Sequence, residues 1–292
     1  MKLMTLPELK KQATKIRQHV WQMIYVAQSG HPAGSLGVTD ILTTLYFAPI
    51  LKYQVKSPHW PKRDYFLLSN GHVCPALYAT LAEAGFFNKS KLNTLRQLNS
   101  PLQGHPHVGS LPGVENTSGP LGQGLSQAVG VALGLKTDKK PNHVFVLTSD
   151  GEHQEGQIWE AYMLAAKYAL NNLTVIIDRN LIQIDGKTEE VMPLERLKLK
   201  LASFRWRVLE TDGHNFKDLI DKLQKAKESQ RPSVIIAHTT PGKGVSFIEN
   251  DYRWHGKPPS KKEYEKGARE LEILDFTPPT GDSILNFELL KK

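Results

Sequence analysis

The order of apolar and polar residues along this chain alternates between short strand-like runs and longer helix-like stretches. Five apolar runs rich in β-branched residues predict strands: Tyr65 to Leu68, Val144 to Thr148, Leu173 to Asp178, Arg207 to Glu210 and Val234 to His238. The stretches beside most of these runs place apolar residues three and four positions apart, which is the period of a helix. This rhythm predicts an α/β fold, with an open, mainly parallel sheet and helices on both faces.

The two ends of the chain differ from this central pattern. From Leu9 to Val20, apolar residues step by three and four among charged ones, which predicts an amphipathic helix rather than a signal peptide. After Gly256 the sequence becomes polar and contains several prolines. We therefore predict one domain over residues 1–260 and a peripheral tail over residues 261–292.

Composition narrows the class of protein further. The 292 residues carry a formal net charge of +8, a balance that would suit nucleic acids, anionic membranes or phosphorylated small molecules. The lysines and arginines are dispersed and no nucleic-acid-binding signature accompanies them, so we expect no nucleic-acid partner. No stretch is long and apolar enough for a membrane span, and the single cysteine, Cys74, excludes an internal disulfide. We expect a cytoplasmic protein with no membrane partner.

Two oxygen-bearing side chains follow strands of the predicted sheet. Asp150 comes after the Val144 to Thr148 run and Asn180 after the Leu173 to Asp178 run, with a predicted helix between them. Ligands of open parallel sheets bind at the carboxyl ends of the strands, where both residues are expected to lie. Carboxylate and amide oxygens suit Mg²⁺, which usually shares its coordination with the phosphates of a ligand. The alternative is that both residues form turns or caps, because Asp-Gly is a common turn sequence.

The same stretch resembles the thiamine-diphosphate motif. That motif opens with Gly-Asp-Gly and closes further along with Asn; here Ser149-Asp150-Gly151 opens the stretch and Asn180 closes it. Serine in place of the first glycine is a departure that leaves the metal ligands intact. The resemblance implies thiamine diphosphate and Mg²⁺ as cofactors, with Mg²⁺ bound by the side chains of Asp150 and Asn180 and by the backbone carbonyl of Ile182.

Other segments resemble transketolase signatures in the family's order, so the resemblance runs from about residue 15 to 260. They are Ser29-Gly30-His31-Pro32, Ser69-Asn70-Gly71-His72, Gly104-His105-Pro106, Ser118-Gly119-Pro120-Leu121-Gly122-Gln123-Gly124 and Trp254-His255-Gly256-Lys257. The resemblance implies four catalytic histidines that line the substrate channel and move protons, namely His31, His72, His105 and His255. It also implies a set of cofactor-binding residues: His72, Gly119, Pro120, Leu121, Asp150, Gly151, Glu155, Asn180 and His238.

Taken one at a time, these histidines are equally typical of surface loops. No Cys/His pair has the spacing of a zinc site. Residues 119–124 do not form a dinucleotide fingerprint, and Gly242-Lys243-Gly244 is not a P-loop. We expect His214, another glycine-flanked histidine, to be structural, because no family role matches its position.

The resemblance ends where the diphosphate-binding domain of a transketolase ends, and a complete transketolase continues with a second half. It therefore implies the N-terminal subunit of a split transketolase, inactive alone and paired with a separate C-terminal subunit that carries the pyrimidine-binding domain. Two copies of each subunit would form a heterotetramer. The implied reaction moves a two-carbon ketol group from a ketose phosphate to an aldose phosphate, as in the pentose phosphate pathway. The alternatives are a non-catalytic paralogue, or a subunit of another thiamine-diphosphate enzyme such as a deoxyxylulose phosphate synthase or a 2-oxo acid dehydrogenase.

Overall fold

A parallel sheet of five strands forms the centre of the protein in the computed structural model, which describes residues 4–273. The sheet consists of β1 (Tyr65–Leu68), β2 (Val144–Ser149), β3 (Leu173–Arg179), β6 (Arg207–Asp212) and β7 (Ser233–His238), and a short antiparallel hairpin of β4 (Ile182–Gln183) and β5 (Gly186–Lys187) follows β3. Across the sheet the strand order is β1-β2-β3-β7-β6. All five predicted strands are present, and only their ends shift slightly.

Helices cover both faces of this sheet, as predicted. They are α1 (Leu6–Ala27), α2 (Pro32–Gly37), α3 (Thr39–Phe47), α4 (Cys74–Ala84), α5 (Gln123–Thr137), α6 (Gly156–Lys167), α7 (Thr188–Val191), α8 (Leu197–Ser203), α9 (Phe216–Lys227) and α10 (Lys261–Glu270). Single 3₁₀ turns lie at Gly71–Val73, Gly151–Gln154 and Tyr252–Trp254, and a longer 3₁₀ segment at Lys89–Thr94. Within residues 4–273, no helix has the length and apolarity that a bilayer crossing requires.

The sheet separates two apolar cores because successive strand residues point to opposite faces. Along β2, Phe145 and Leu147 face the core formed with α1, α3, α4 and α9. Val144 and Val146 face the core formed with α5, α6 and α8. Strands that are buried on both faces read as continuous apolar runs, which is why the sequence pattern located them so closely.

The helix α10 falls within the predicted tail and packs against α1. A capping box starts it, since Ser260 accepts from the N–H of Glu263 while the Glu263 side chain accepts from the N–H of Ser260. The indole N–H of Trp21 donates to the carbonyl of Tyr264 at 3.1 Å, and the rings of Tyr25 and Tyr264 stack with centroids 4.1 Å apart. Residues 261–270 therefore add to the core on the α1 side, and the remainder of the predicted tail beyond residue 273 lies outside the described residues.

The carboxyl ends of β2, β3 and β7 meet at one edge of the sheet. Ser149 of β2 is in register with Asp178 of β3, and Arg179 of β3 is in register with His238 of β7. Parallel strands of similar length therefore deliver the residues after β2 and β3 to the same edge.

Candidate active site

Asp150 is the fully buried centre of a polar cluster at this edge. Its Oδ2 atom lies 3.0 Å from Nη1 of Arg179 and accepts from the N–H of Leu181 at 2.8 Å, while Oδ1 accepts from the N–H of Gly151 at 2.7 Å. Burial raises the pKa of Asp150, although Arg179 and the two backbone N–H groups act to lower it. Leu181 adopts the left-handed conformation, with φ of 65°, and thereby turns the chain after Asn180 back toward the carboxylate.

Asn180 is held by a second buried carboxylate, Asp178, to which the sequence pattern assigned no role. The Asn180 amide donates to Oδ2 of Asp178 at 2.7 Å, and its Oδ1 accepts from the N–H of Ile182 at 3.0 Å. The hydroxyl of Thr239 donates to the other Asp178 oxygen. Burial raises the pKa of Asp178 to about 7; Thr239 lowers it, and the neighbouring Asp150 raises it further. Asp178 thus fixes the orientation of the Asn180 side chain.

The donor set formed by Asp150, Asn180 and the carbonyl of Ile182 consists of oxygen atoms alone. The contact between Asp150 and Leu181 brings these three residues together, because Leu181 lies between the other two. Oxygen donors of this kind suit Mg²⁺, whose remaining positions are taken by water and ligand phosphates. Across residues 4–273, no group of three His, Cys, Asp or Glu side chains forms a metal site of another kind. The residues present therefore fit the predicted metal.

The segment of residues 119–122, which we call the glycine loop, leads into α5 beside this cluster. Gly122 is the N-cap of α5 and has φ of 82°, and a Cβ at this position would lie 2.7 Å from the Gln157 amide nitrogen. Glycine is required there by both its conformation and its close packing. Pro120 and Leu121 are exposed at the loop surface, where their backbone is accessible to a ligand.

Glu152 lies beneath the glycine loop and is completely buried. Its Oε1 accepts from the hydroxyl of Ser69 and from the N–H of Gly122, and its Oε2 accepts from the N–H of Ser149. Burial raises the pKa of Glu152 to about 7, while the Ser69 hydroxyl and the backbone N–H of Gly122 lower it. Sequence reasoning missed this residue, and the available signal was a further carboxylate two positions after Asp150.

Three of the four predicted catalytic histidines form a cluster. The ring centroids of His31 and His72 are 5.1 Å apart, those of His72 and His255 are 5.1 Å apart, and those of His31 and His255 are 5.4 Å apart. His31 precedes α2, His72 follows β1, and His255 follows the 3₁₀ turn near the end of the described chain. We call these rings the histidine cluster.

The imidazoles of the histidine cluster are neutral at physiological pH. Burial lowers the pKa of His31 to about 3, with further lowering by His255 and Arg96. Burial also lowers the pKa of His72 well below its usual value, and lowers that of His255. A neutral imidazole carries one donor and one acceptor nitrogen, so each ring can bind either kind of partner.

His105 joins this site from a separate loop and packs beside Gly119, where a Cβ would lie 3.6 Å from the His105 ring. Arg96 fixes that loop, because its guanidinium donates to Ser29 Oγ at 3.0 Å and to the Gly104 carbonyl at 3.1 Å. Arg96 therefore ties the segment that precedes His31 to the segment that precedes His105. Sequence reasoning missed Arg96, since nothing in its local pattern distinguishes it from a surface arginine.

The remaining predicted residues occupy less central positions. His238 ends β7 at the same edge, but its side chain is exposed and makes no hydrogen bond with another described residue. Glu155 is the N-cap of α6, with an exposed side chain adjacent to Gly122. His214 is structural in its contacts: Nδ1 binds Asp40 at 2.7 Å and Nε2 accepts from the N–H of Thr240 at 2.7 Å.

Several buried polar atoms around the histidine cluster have no hydrogen-bond partner among the described residues. They include Nδ1 of His31, Oγ of Ser118 and both amide atoms of Asn70. Buried polar groups are normally satisfied, and leaving one without a partner costs about 1–3 kcal/mol. This concentration next to His72 and the glycine loop indicates a place where a polar ligand completes the structure.

Comparison with known proteins agrees with this geometry. Residues 9–277 match the family described as transketolase, thiamine diphosphate binding domain. The chain belongs to the transketolase family. The first of two separate subunits of the apulose-4-phosphate transketolase of Phocaeicola vulgatus is 41% identical over 269 residues, which cover 92% of this chain and 95% of that protein. The 6-deoxy-6-sulfo-D-fructose transketolase subunit SqwG of a Clostridium species is 40% identical over 91% of this chain and 96% of its own length.

A solved structure gives the same result for the transketolase fold. The crystal structure of transketolase from Campylobacter jejuni superposes with a TM-score of 0.87 and 33% identity over 94% of this chain. The chain spans 44% of that transketolase, whereas it corresponds to nearly the whole of the separate transketolase subunits from Phocaeicola and Clostridium. These matches confirm the predictions of the α/β fold, of the transketolase family and of an N-terminal subunit of a split transketolase.

Proposed function

We propose that this chain, together with a C-terminal subunit, transfers a two-carbon ketol group from a ketose phosphate to an aldose phosphate in the pentose phosphate pathway of the cytoplasm. The observation that carries the proposal is the histidine cluster of His31, His72 and His255, with the polar cluster of Asp150 at the carboxyl edge of the sheet. A sugar presents hydroxyl and carbonyl oxygens, and neutral imidazoles can donate to one and accept from the other. The cluster therefore suits a polyhydroxylated substrate next to a metal-bound diphosphate.

The edge of the sheet would hold the cofactor. Asp150, Asn180 and the Ile182 carbonyl would bind Mg²⁺, and the N-terminal end of α5 favours the negative charge of a diphosphate. The backbone of residues 119–121 would contact the cofactor, with Gly151, Glu155 and His238 at the border of its site. Thiamine diphosphate supplies, when bound, the reactive carbon and the electron sink of the reaction.

The histidines would orient the sugar and move its protons. His31 offers an unpartnered buried Nδ1, and the ring centroids of His72 and His255 lie 5.1 Å and 5.4 Å from its own. His105, on the loop beside Gly119, would contact the same substrate from the glycine-loop side. Because these rings are neutral, they can accept a proton from a hydroxyl and return one to a carbonyl oxygen.

The partner would be a separate subunit that carries the pyrimidine-binding domain. Supporting this, the chain covers 95% of the Phocaeicola transketolase subunit but 44% of a complete transketolase. Two copies of each subunit would assemble into a heterotetramer. A chain that holds the metal site and the histidines without that second domain is expected to be inactive alone.

The test is a coupled ketol-transfer assay with thiamine diphosphate and Mg²⁺, run on this chain alone and mixed with the purified C-terminal subunit from the same source. Activity in the mixture alone supports the proposal. A rate for the isolated chain near that of intact transketolases contradicts the need for a partner. Cofactor binding without activity in the mixture would instead favour a non-catalytic paralogue or another thiamine-diphosphate enzyme.

The same assay identifies the donor. Xylulose 5-phosphate with ribose 5-phosphate is the expected pair, and the names of the two relatives add apulose 4-phosphate and 6-deoxy-6-sulfo-D-fructose as donors to compare. The donor with the highest kcat/KM is the assigned substrate. A preference for a 2-oxo acid over every sugar would contradict the proposed reaction.

A further inference from the structure

Glu152 joins three separate segments at the carboxyl edge of the sheet. Its carboxylate accepts from Ser69 Oγ at the end of β1, from the Gly122 N–H at 2.6 Å at the start of α5, and from the Ser149 N–H at 3.2 Å at the end of β2. Its own N–H donates to Ser149 Oγ at 3.3 Å. All three partners donate to the carboxylate, and together they use both of its oxygens.

The glycine loop depends on polar contacts for its position. Pro120 and Leu121 are exposed, so burial of apolar side chains does not hold this loop in place. Glu152 holds the Gly122 N–H from below, and Gln157 donates to the Leu121 carbonyl at 2.9 Å from the other side. The loop backbone is therefore clamped between two side chains that both belong to the segment following β2.

We propose that Glu152 is a positioning residue that sets the backbone of residues 119–122 for binding thiamine diphosphate. This inference rests on the proposed function for its consequence, since the loop is the segment that would contact the cofactor. Glu152 lies under the loop and acts through Gly122, without a contact to the cofactor itself. The acidic residues after β2 then divide into two tasks, with Asp150 for the metal and Glu152 for the loop.

The substitution Glu152→Gln tests this role while preserving shape. A carboxamide has one acceptor oxygen in place of two, and its NH₂ group would face at least one of the three donors. The donor that loses its acceptor is left buried and unsatisfied. Glu83→Gln is the matched control, because the Glu83 side chain is only 5% exposed, binds three partners (Gln12, His19 and Lys89) and belongs to α4 rather than to the segments that Glu152 joins.

The first measurement uses the full chain without cofactor, labelled with ¹⁵N-glycine, and follows amide exchange. We expect the Gly122 N–H to exchange roughly tenfold faster or more in Glu152→Gln than in the wild type, because its acceptor is weakened. Gly213 and Gly242 are internal references, since their N–H groups donate to the His238 and Ala33 carbonyls at 2.8 Å. Unchanged exchange at Gly122, or an equal increase at the reference glycines, overturns the proposal.

The second measurement is the affinity for thiamine diphosphate with Mg²⁺, by calorimetry on the same proteins. We expect Glu152→Gln to weaken binding by roughly 10- to 100-fold, the range for losing a hydrogen bond to a charged group. Glu83→Gln should lower the melting temperature and leave the affinity unchanged. Equal losses of affinity in both variants would overturn the positioning role.

The two measurements separate this inference from the proposed function. If the wild type fails to bind thiamine diphosphate, the proposed function fails, and faster exchange at Gly122 still supports the positioning of the loop by Glu152. If Glu152→Gln does not fold, Ser69→Ala replaces it, because this change removes one donor and leaves those of Gly122 and Ser149. A smaller loss of affinity in Ser69→Ala supports the proposal, and wild-type affinity contradicts it.

Discussion

Arg179 and Asp150 form a buried ion pair at the carboxyl edge of the sheet, with Nη1 and Oδ2 3.0 Å apart. The same guanidinium also binds Glu189 at 2.6 Å and Glu195 at 2.8 Å. Within the described part of the chain, Oδ1 of Asp150 accepts from the N–H of Gly151 alone. Arg179 therefore holds one oxygen of the carboxylate, and the other oxygen retains a lone pair for a metal.

Asp150→Asn is expected to remove Mg²⁺-dependent binding of thiamine diphosphate. The amide keeps the size of the side chain but loses the negative charge that favours a divalent cation. Affinity should fall by more than about 100-fold, while Arg179 keeps Glu189 and Glu195 as partners and limits the loss of stability. Calorimetric titrations with Mg²⁺ and with EDTA measure the effect. Asp138→Asn, at an exposed ion pair with Lys140, is the control, and wild-type binding by Asp150→Asn would contradict the assignment.

Thr239→Val is expected to weaken the same site from a distance. The Thr239 hydroxyl donates to Asp178, and Asp178 orients the amide of Asn180. Valine matches threonine in shape, so the main loss is one donor to a buried carboxylate, with a cost of about 1–3 kcal/mol in the free energy of unfolding. Urea denaturation measures this cost, and a Mg²⁺ titration measures the expected loss of affinity. If stability falls while the Mg²⁺ affinity stays at the wild-type value, Asp178 does not orient Asn180 for the metal.

His255→Ala is expected to lower kcat of the assembled enzyme by roughly 100- to 10,000-fold, the range for loss of a proton-transfer group. The His255 ring packs against His31 and His72 rather than against the Asp150 cluster, so the affinity for thiamine diphosphate should change little. Calorimetry and steady-state kinetics with the C-terminal subunit give the two quantities. His59→Ala, at an exposed histidine, should retain full activity. A variant at His255 with normal kcat would exclude this ring from catalysis.

Stability should decrease below neutral pH, in part through His143. This ring lies at the opposite end of β2, binds Thr174 at 2.8 Å, and burial lowers its pKa to about 3, with Lys227 and Lys52 adding to the effect. The unfolded chain takes up this proton near pH 6.5 and the folded chain does not, so stability is full above that pH and falls as the pH drops toward about 3. Each such histidine contributes a slope of up to about 1.4 kcal/mol per pH unit.

Urea unfolding of the wild type and of His143→Gln between about pH 7.5 and about pH 4.5 measures that slope. The variant should lose less stability over this range than the wild type, since one proton-binding difference is gone. Parallel curves for the two proteins would show that His143 does not carry the difference. His59→Gln serves as the comparison, because an exposed histidine binds its proton in both states.

The strands and the metal-site residues were predictable because both depend on local pattern and on one topological rule. Apolar runs located the strands, and in a parallel sheet the residues that follow two strands meet at one edge. The positions of Asp150 and Asn180 therefore followed without any knowledge of side-chain contacts. The capping box at Ser260 and Glu263 was a local signal as well, and it marks the start of α10 within the predicted tail.

The contacts of Glu152 and of the histidine cluster required the structure. Ser69 and Gly122 reach Glu152 from segments that the sequence places far apart, and no spacing rule relates them. The histidines were found through family resemblance, since each ring alone is typical of a surface loop. Arg96 gave no signal at all, because its role lies in the two loops that it connects.

The histidine cluster also has a consequence for how the protein is made. His31 and His72 precede most of the sheet in the chain and His255 follows all of it, so a long loop must close before the three rings meet. A nascent chain that ends just after β7 would hold every strand of the sheet and yet offer no complete pocket for a sugar. Substrate binding therefore reports that synthesis and folding have passed His255, and a chain released before that point has no half-built activity to misdirect.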